Sequence, residues 1–284
     1  MPDRARIDQP AMRVQVVHSG NAWILRRLAR YLVDNLSYVR GMDWRPSALE
    51  SFDLTYYVNY QLCRRPKAPL RRRVLWRRPR SRIVGAFFPH REDDEFDEVA
   101  RELDFCVAPS ARYANYLREH CNPSSHLIYH GIDLARFTPK LRLGFIGRRY
   151  RTGRKGDALL RAVAALPYVE LISTEGKLSD REIPAFYQGI DCVLITSSIE
   201  GGPLCFQEGL ASGKPILSTD VGMVSEFRDA PGVHVYADQA ELFALLEGQL
   251  QERLKLRQVV SEFSVDYWVR EHDRLFRSLI AARP

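Results

Sequence analysis

Two tandem doubly wound α/β domains, each a parallel sheet with helices packed on its faces, are what this 284-residue sequence predicts. Short apolar strands alternate with helical stretches, and that order implies parallel sheets covered by helices. The alternation restarts after a connecting segment, 126–140. The composition, 45% hydrophobic and 27% charged, is that of an ordinary globular protein, and the length suits one large or two small domains.

The first alternation opens with "MRVQVVHSG" (12–20), an apolar strand ending at Gly20. It is followed by "NAWILRRLARYLVDNL", whose apolar residues Trp23, Ile24, Leu28, Tyr31 and Leu32 recur at helical spacing. "FDLTYYVNY" (52–60), "SRIVGAFFPH" (81–90) and "LDFCVAPS" (103–110) read as further strands. "REDDEFDEVARE" reads as a short acidic helix, and "SARYANYLREHC" as a helix capped by Ser110. In the second alternation "LRLGFIG", "YVELIST", "DCVLITSS" and "KPILSTD" are strands. "GDALLRAVAAL", "SDREIPAFYQG", "CFQEGLASG" (ended by Gly213) and the long amphipathic "DQAELFALLEGQLQERLKLR" are the helices between and after them. The boundary falls near Pro139, giving domains 1–139 and 140–263, with a last helix in 264–284.

The five cysteines, Cys63, Cys106, Cys121, Cys192 and Cys205, are odd in number, scattered and form no Cys-x-x-Cys pair. They are expected to be reduced thiols in a cytosolic setting. No signal peptide opens the sequence, and no apolar run approaches the roughly 20 residues that span a bilayer. A cytoplasmic protein is expected, attached at most to the inner face of a membrane.

Charge is uneven. The first 140 residues hold 24 Lys and Arg against 16 Asp and Glu, the rest 18 against 19. Much of the excess lies in "RRPKAPLRRRVLWRRPRSR" (64–82), a run able to hold anionic lipid heads, nucleic acid or a polyanionic substrate, or to be a solvated edge.

The chemistry concentrates in "SSIEGGPLCFQEGLASGKP" (197–215), where Glu200 and Glu208 flank two glycines and a proline. Helical geometry turns about 100° per residue, so eight steps leave the two carboxylates roughly 80° apart. "DCVLITSS" is the strand, "IEGG" the loop beyond it, and Pro203 suits the first turn of the following helix. Gly201 and Gly202 let backbone approach a ligand closely, and a helix start attracts phosphate. Carboxylates repel phosphate but accept strongly from hydroxyls. Phosphate flanked by hydroxyl-rich groups on both sides describes a nucleotide sugar; the bland reading keeps both glutamates as solvated or capping side chains.

Several stretches in order resemble one family. "IEGGPLCFQEGLASGKPILSTDVGMVSE" is similar to the Glu-x7-Glu region of retaining glycosyltransferases of the GT-B type, glycosyltransferase family 4 above all. "YHGIDLARFTP" resembles that family's interdomain stretch, and "LGFIGRRYRTGRKGDALLRAVAAL" its Gly-Arg…Lys-Gly strand and helix. "EIPAFYQGIDCVLITSS" and "FSVDYWVREHDRLF" resemble the approach to the glutamate loop and the closing helix, so the likeness covers 128–280.

The resemblance implies two Rossmann-like domains facing a cleft, the C-terminal helix packing back toward the N-terminal, acceptor-side domain, and a nucleotide-sugar donor held by the second domain. It implies that Glu208 holds the donor ribose, that Glu200 holds the transferred sugar, and that the backbone of Gly201, Gly202, Pro203 and Leu204 faces sugar and diphosphate. Lys155, with Arg148 or Arg149, would neutralise the diphosphate. The arginine spacing departs from the family's, with Arg154 a further candidate. Gly20 would approach the donor phosphates, His90 would line the reaction centre, and the loop near Lys177 and Leu178 would meet the base. No Asp-x-Asp occurs, so no metal or other cofactor is expected.

The implied activity is metal-independent, retaining, hexosyltransferase-like transfer to a glycan, lipid-linked or protein acceptor, in glycan, glycolipid or cell-surface polysaccharide synthesis, with no specific nucleic acid. The alternatives are a catalytically weak GT-B-like binding protein and a basic membrane- or polyanion-binding module.

Overall fold

The computed structural model describes residues 12–20, 23–47, 49–63, 79–92, 94–148 and 150–282. Arg149 and most of the basic run, 64–78, lie outside the described residues. The chain divides into two compact units, 1–136 with 260–284, and 137–259.

Among the described residues, unit 1 is built on six parallel strands: β1 (Val14–His18), β2 (Val39–Asp43), β3 (Leu54–Tyr57), β4 (Ile83–Phe87), β5 (Phe105–Ala108) and β6 (Ser125–Leu127). Their order across the sheet is β2-β1-β3-β4-β5-β6. Side chains alternate between its faces, as strand geometry requires. Val14, Val16, Leu54, Tyr56 and Phe105 face α1 (Trp23–Asn35) and α8 (Val265–Ala281). Val17, Tyr57, Val84 and Cys106 face α2 (Glu95–Glu102) and α3 (Ala111–His120). Helices on both faces explain why the central strands are buried along their length and mostly apolar, rather than alternating with exposed polar residues.

Two of these strands escape the sequence reading. β2 is written "VRGMD" and β6 "SHL", too short and polar to stand out from loops. The predicted strand at 52–60 is shorter, because the chain turns into a 3-10 segment at Tyr60–Cys63 that buries Tyr60 and Cys63. Ser110 does cap α3, its hydroxyl accepting from the Tyr113 amide at 3.4 Å.

The C-terminal helix belongs to unit 1. Trp268 is fully buried and its indole N–H donates to the Leu28 carbonyl at 3.1 Å, while His272 meets the Tyr56 hydroxyl at 3.0 Å. Each large ring buried here contributes on the order of 2–3 kcal/mol. Gly131, in the "YHGID" stretch, is required by this docking: a Cβ there would lie 2.5 Å from Trp268 Cβ. Ile132 then bridges to Ser264, and its amide donates to the Phe263 carbonyl at 2.8 Å. That stretch therefore secures the start of α8.

Unit 2 has five parallel strands, β7 (Leu141–Phe145), β8 (Val169–Ser173), β9 (Cys192–Ile195), β10 (Ile216–Ser218) and β11 (Val233–Val235), in the order β11-β10-β9-β7-β8. α4 (Asp157–Ala164) and α7 (Gln239–Gln258) cover one face; α5 (Ile183–Gln188) and α6 (Leu204–Ala211) cover the other. β11, three residues long, is a further strand the sequence reading misses. The amphipathic reading of α7 holds for its first half alone: Leu242 and Leu246 are buried, whereas Leu256 is 73% exposed. Among the described residues no helix is long and apolar enough to cross a membrane.

Candidate active site

The unit 2 sheet is wound in both directions from β7, which has β8 on one side and β9 on the other. In such sheets the loops leaving the carboxyl ends of the two strands at the reversal diverge and leave a crevice. The loop after β7 carries Gly147, Arg148 and Lys155; the loop after β9 carries Glu200, Gly201 and Gly202.

Lys155 and Glu200 form an ion pair between Nζ and Oε1 across this reversal, with side chains 13% and 14% exposed. Backbone contacts hold the pair's two loops together. The Thr196 hydroxyl donates to the Lys155 carbonyl, and the Ser198 amide donates to the Arg154 carbonyl at 2.8 Å. Gly156 is obligatory at this junction: its φ is +70° and a Cβ would fall 2.3 Å from the Thr196 carbonyl oxygen. At Gly147, φ +140°, the backbone runs beside the ammonium, a built Cβ lying 3.7 Å from Lys155 Nζ.

Burial raises the Glu200 carboxyl, but hydrogen bonds from Lys155 and Ser197 and the nearby charges of Lys155 and Arg154 outweigh it and hold the group below the usual glutamate range. Glu200 is thus an ionised acceptor. The loop behind it is fixed by Gly222, where a Cβ would strike the Gly201 carbonyl oxygen at 2.1 Å, and by the Met223 amide donating to that same oxygen at 3.0 Å.

The double glycine is different. A Cβ on Gly201 would meet none of the described protein atoms within 4 Å, and one on Gly202 would touch Met223 Sδ at an ordinary 3.4 Å. Neither residue adopts the left-handed backbone that favours glycine. The fold does not require glycine at either position, so their small size is free to serve close approach from outside.

α6 begins at Leu204, one residue before the predicted "CFQEGLASG" stretch and one after Pro203. Pro203 is therefore the extended N-cap residue rather than part of the first turn, and no side chain caps the helix. Glu208 lies one turn in, where the buried Tyr187 hydroxyl of α5 donates to its Oε2 at 2.7 Å. The two carboxylates therefore present from different elements, Glu200 from the loop and Glu208 from the helix. Cys205 sits between them with its thiol pushed up to about 11 by burial, Lys155 opposing the rise and Glu200 and Glu208 adding to it. It stays a neutral thiol.

The remaining predicted residues are spread more widely. Arg148 lies over the loop after β8, where a Cβ on Gly176 would meet its Cγ at 2.3 Å. Thr174 ties that loop to the β7 exit, its hydroxyl accepting from the Gly147 amide at 3.1 Å. Lys177 is exposed there, its amide donating to the Thr174 carbonyl, and Leu178 follows it. Arg154 stacks over the Tyr150 ring at 4.3 Å.

In unit 1, Gly20 follows β1 at that sheet's own reversal, between β2 and β3, with the exposed Trp44 indole beside it. His90, beyond β4, is exposed and its Nε2 lies 2.7 Å from Glu92. A concavity of about 510 Å³ opens elsewhere in unit 1, along α3 beside Arg91, Tyr116 and His120; none of the predicted site residues lines it.

Sequence reasoning passes over Tyr187, Thr196 and Ser197. Tyr187 lies in a stretch quoted for its family likeness, and a tyrosine amid "AFYQG" reads from sequence as core.

Residues 134–261 match the family model for glycosyl transferases group 1. The glycosyl transferases group 1 match spans all of unit 2 and less than half of the chain. Among the curated proteins none matches in sequence. Similar solved structures include the sucrose-phosphate synthase of Thermosynechococcus elongatus, at 14% identity and a TM-score of 0.37, covering 95% of this chain and 100% of that one. The apo lipopolysaccharide outer core galactosyltransferase WaaB overlaps at 11% identity and a TM-score of 0.38, covering 94% and 99%. Anabaena HepE in complex with UDP overlaps at 12% identity and a TM-score of 0.38, covering 94% and 100%.

Proposed function

We propose that this protein is a retaining, metal-independent glycosyltransferase of the family 4, GT-B kind. It moves a hexose-like sugar from a nucleotide-sugar donor to an acceptor hydroxyl, in glycan, glycolipid or cell-surface polysaccharide synthesis. The observation that carries the reading is the Lys155–Glu200 pair beside the unobstructed Gly201–Gly202 backbone and the uncapped start of α6, all within a domain matching glycosyl transferases group 1.

In this reading the donor diphosphate lies against the start of α6, whose free amides and helix dipole favour negative charge. Lys155 exchanges Glu200 for the diphosphate, and its fixed charge does the work a metal would otherwise do. Released from Lys155, Glu200 accepts from hydroxyls of the transferred sugar, and Glu208 accepts from the ribose. The acceptor hydroxyl attacks the anomeric carbon on the face from which the diphosphate departs, and the leaving phosphate oxygen takes the hydroxyl proton. Positioning and charge stabilisation supply the rate, with no covalent protein nucleophile. Gly20, Arg148, Lys177 and Leu178 are further donor contacts in this proposal, and His90 a group at the reaction centre.

The acceptor is taken to be a glycan, lipid-linked or protein hydroxyl. The 64–82 arginines, largely outside the described residues, are proposed to hold a cytoplasmic enzyme on the anionic inner face of a membrane. Co-sedimentation with liposomes that is lost when those arginines are neutralised supports that part; unchanged co-sedimentation removes it.

A thermal-shift panel of nucleoside diphosphates and nucleotide sugars tests the donor site, because a ligand selective for the folded state raises the melting temperature, by about 2.7 kcal/mol of added stability at a hundredfold excess over Kd. One nucleoside diphosphate and its sugars are expected to stabilise the protein. No shift from any member overturns the reading.

A further inference from the structure

We propose that Tyr187 is a positioning residue for Glu208: its hydroxyl holds one carboxylate oxygen so that the other is aimed at the ribose of a bound nucleotide. The inference rests on the donor-site reading above and adds to it a residue and a specificity.

Tyr187 is 1% exposed, packed on the α5–α6 face of the unit 2 sheet with Ile190, Val193 and Phe206. Its ring makes an edge contact with Phe186, the centroids 5.9 Å apart. A tyrosine so enclosed has little rotational freedom, so its hydroxyl is a fixed point. That hydroxyl donates to Glu208 Oε2 at 2.7 Å. Burial first, and then the Glu208 hydrogen bond and charge, push the phenol far up, so Tyr187 is a permanent donor across the physiological range.

A carboxylate on a two-carbon stem rotates about its last torsion with little preference. Occupying Oε2 with a fixed donor removes that freedom and, in this proposal, leaves Oε1 as the acceptor for the ribose. A pair of vicinal hydroxyls is what a single oriented carboxylate discriminates well, since a site built to receive a hydroxyl binds its absence poorly. Phenylalanine would fill the same core volume, so the hydroxyl of Tyr187 is explained by Glu208 and not by packing.

The test measures binding of uridine, guanosine and adenosine diphosphates, and of their 2′,3′-dideoxy counterparts, to the parent, Tyr187→Phe, Glu208→Gln and the double variant, with melting temperatures recorded alongside. The parent is expected to prefer the ribose form of its nucleotide. Tyr187→Phe is expected to keep its fold and lose about tenfold of that preference, the scale of one hydrogen bond to a charged group. On the Glu208→Gln background the same change is expected to add nothing, as for two residues acting through one interaction. A general loss of packing would instead weaken both nucleotide forms equally and leave their ratio unchanged, which overturns the inference. So does a Tyr187→Phe variant with the parent's ribose preference, and this result leaves Glu208 as a ribose ligand intact. A parent that binds a diphosphate without ribose preference overturns the assignment of Glu208 itself, and a parent that binds none overturns the nucleotide reading.

Discussion

Lys155 and Glu200, 45 residues apart in sequence, meet as a largely buried ion pair where the unit 2 sheet reverses direction. A pair so enclosed is costly to break from one side, because the remaining charge keeps its burial and loses its partner. Lys155→Ala is expected to lose about 1–3 kcal/mol of stability, the cost of leaving Glu200 unsatisfied, and to remain folded. Urea unfolding of the variant checks this.

The glycines around the pair separate into two kinds. Gly156→Ala and Gly222→Ala place a Cβ against backbone oxygens at positive φ, 2.3 Å from Thr196 O and 2.1 Å from Gly201 O. Each is expected to destabilise by about 1–3 kcal/mol or more. Gly201→Ala meets no described atom, and is expected to leave the melting temperature unchanged or slightly raised through the unfolded state. Its nucleotide-sugar affinity is nevertheless expected to fall, since the methyl stands where the donor approaches. A Gly201→Ala variant with the parent's affinity would remove the donor from this loop.

His272 supplies a pH prediction in unit 1. It is fully buried, Nδ1–H donating to the Trp268 carbonyl at 2.9 Å and Nε2 facing the Tyr56 hydroxyl, and burial pushes its ionisation down to about 3 against a small opposing bond to Trp268. The native state therefore refuses a proton that the unfolded state accepts below its ordinary value of about 6.5. Stability from this group is full above that value and is lost as pH falls toward 3, at about 1.4 kcal/mol per pH unit. Between pH 7 and pH 5 the parent is expected to lose roughly 2 kcal/mol more than a His272→Gln variant in urea unfolding. Equal losses would remove His272 as the source of the pH dependence.

Much of the fold is legible in the sequence, and the gaps have physical causes. β4, β5 and β9 are buried along their whole length and read as apolar runs, and β1 and β7 as apolar runs interrupted by Gln15 and Arg142. β2, β6 and β11 are edge strands or three-residue pairings, held by neighbours more than by their own residues. At the site, Glu200 stands out because a loop after a strand that sets a charge beside glycines adds little to packing and suits a ligand; Glu208, on the following helix, joins it through the eight-residue spacing, and Lys155 is reached through the family resemblance. Tyr187 and Thr196 do not stand out, because a buried tyrosine and a strand-end threonine are ordinary core and edge residues until their hydrogen bonds are seen. Gly131 shows the converse, a residue in a family-like stretch whose work here is to admit Trp268.

In the proposed mechanism Lys155 stabilises a departing nucleoside diphosphate. The rate of nucleoside diphosphate release from a panel of nucleotide sugars, by the parent and by Lys155→Ala, measures that role without knowledge of the acceptor, with the fold of each protein checked by circular dichroism. The parent is expected to turn over one donor class, and the variant to fall by about a hundredfold or more, the scale of losing one charge-stabilising group. Equal rates for the two proteins, or a parent that releases diphosphate from no nucleotide sugar, would contradict this mechanism.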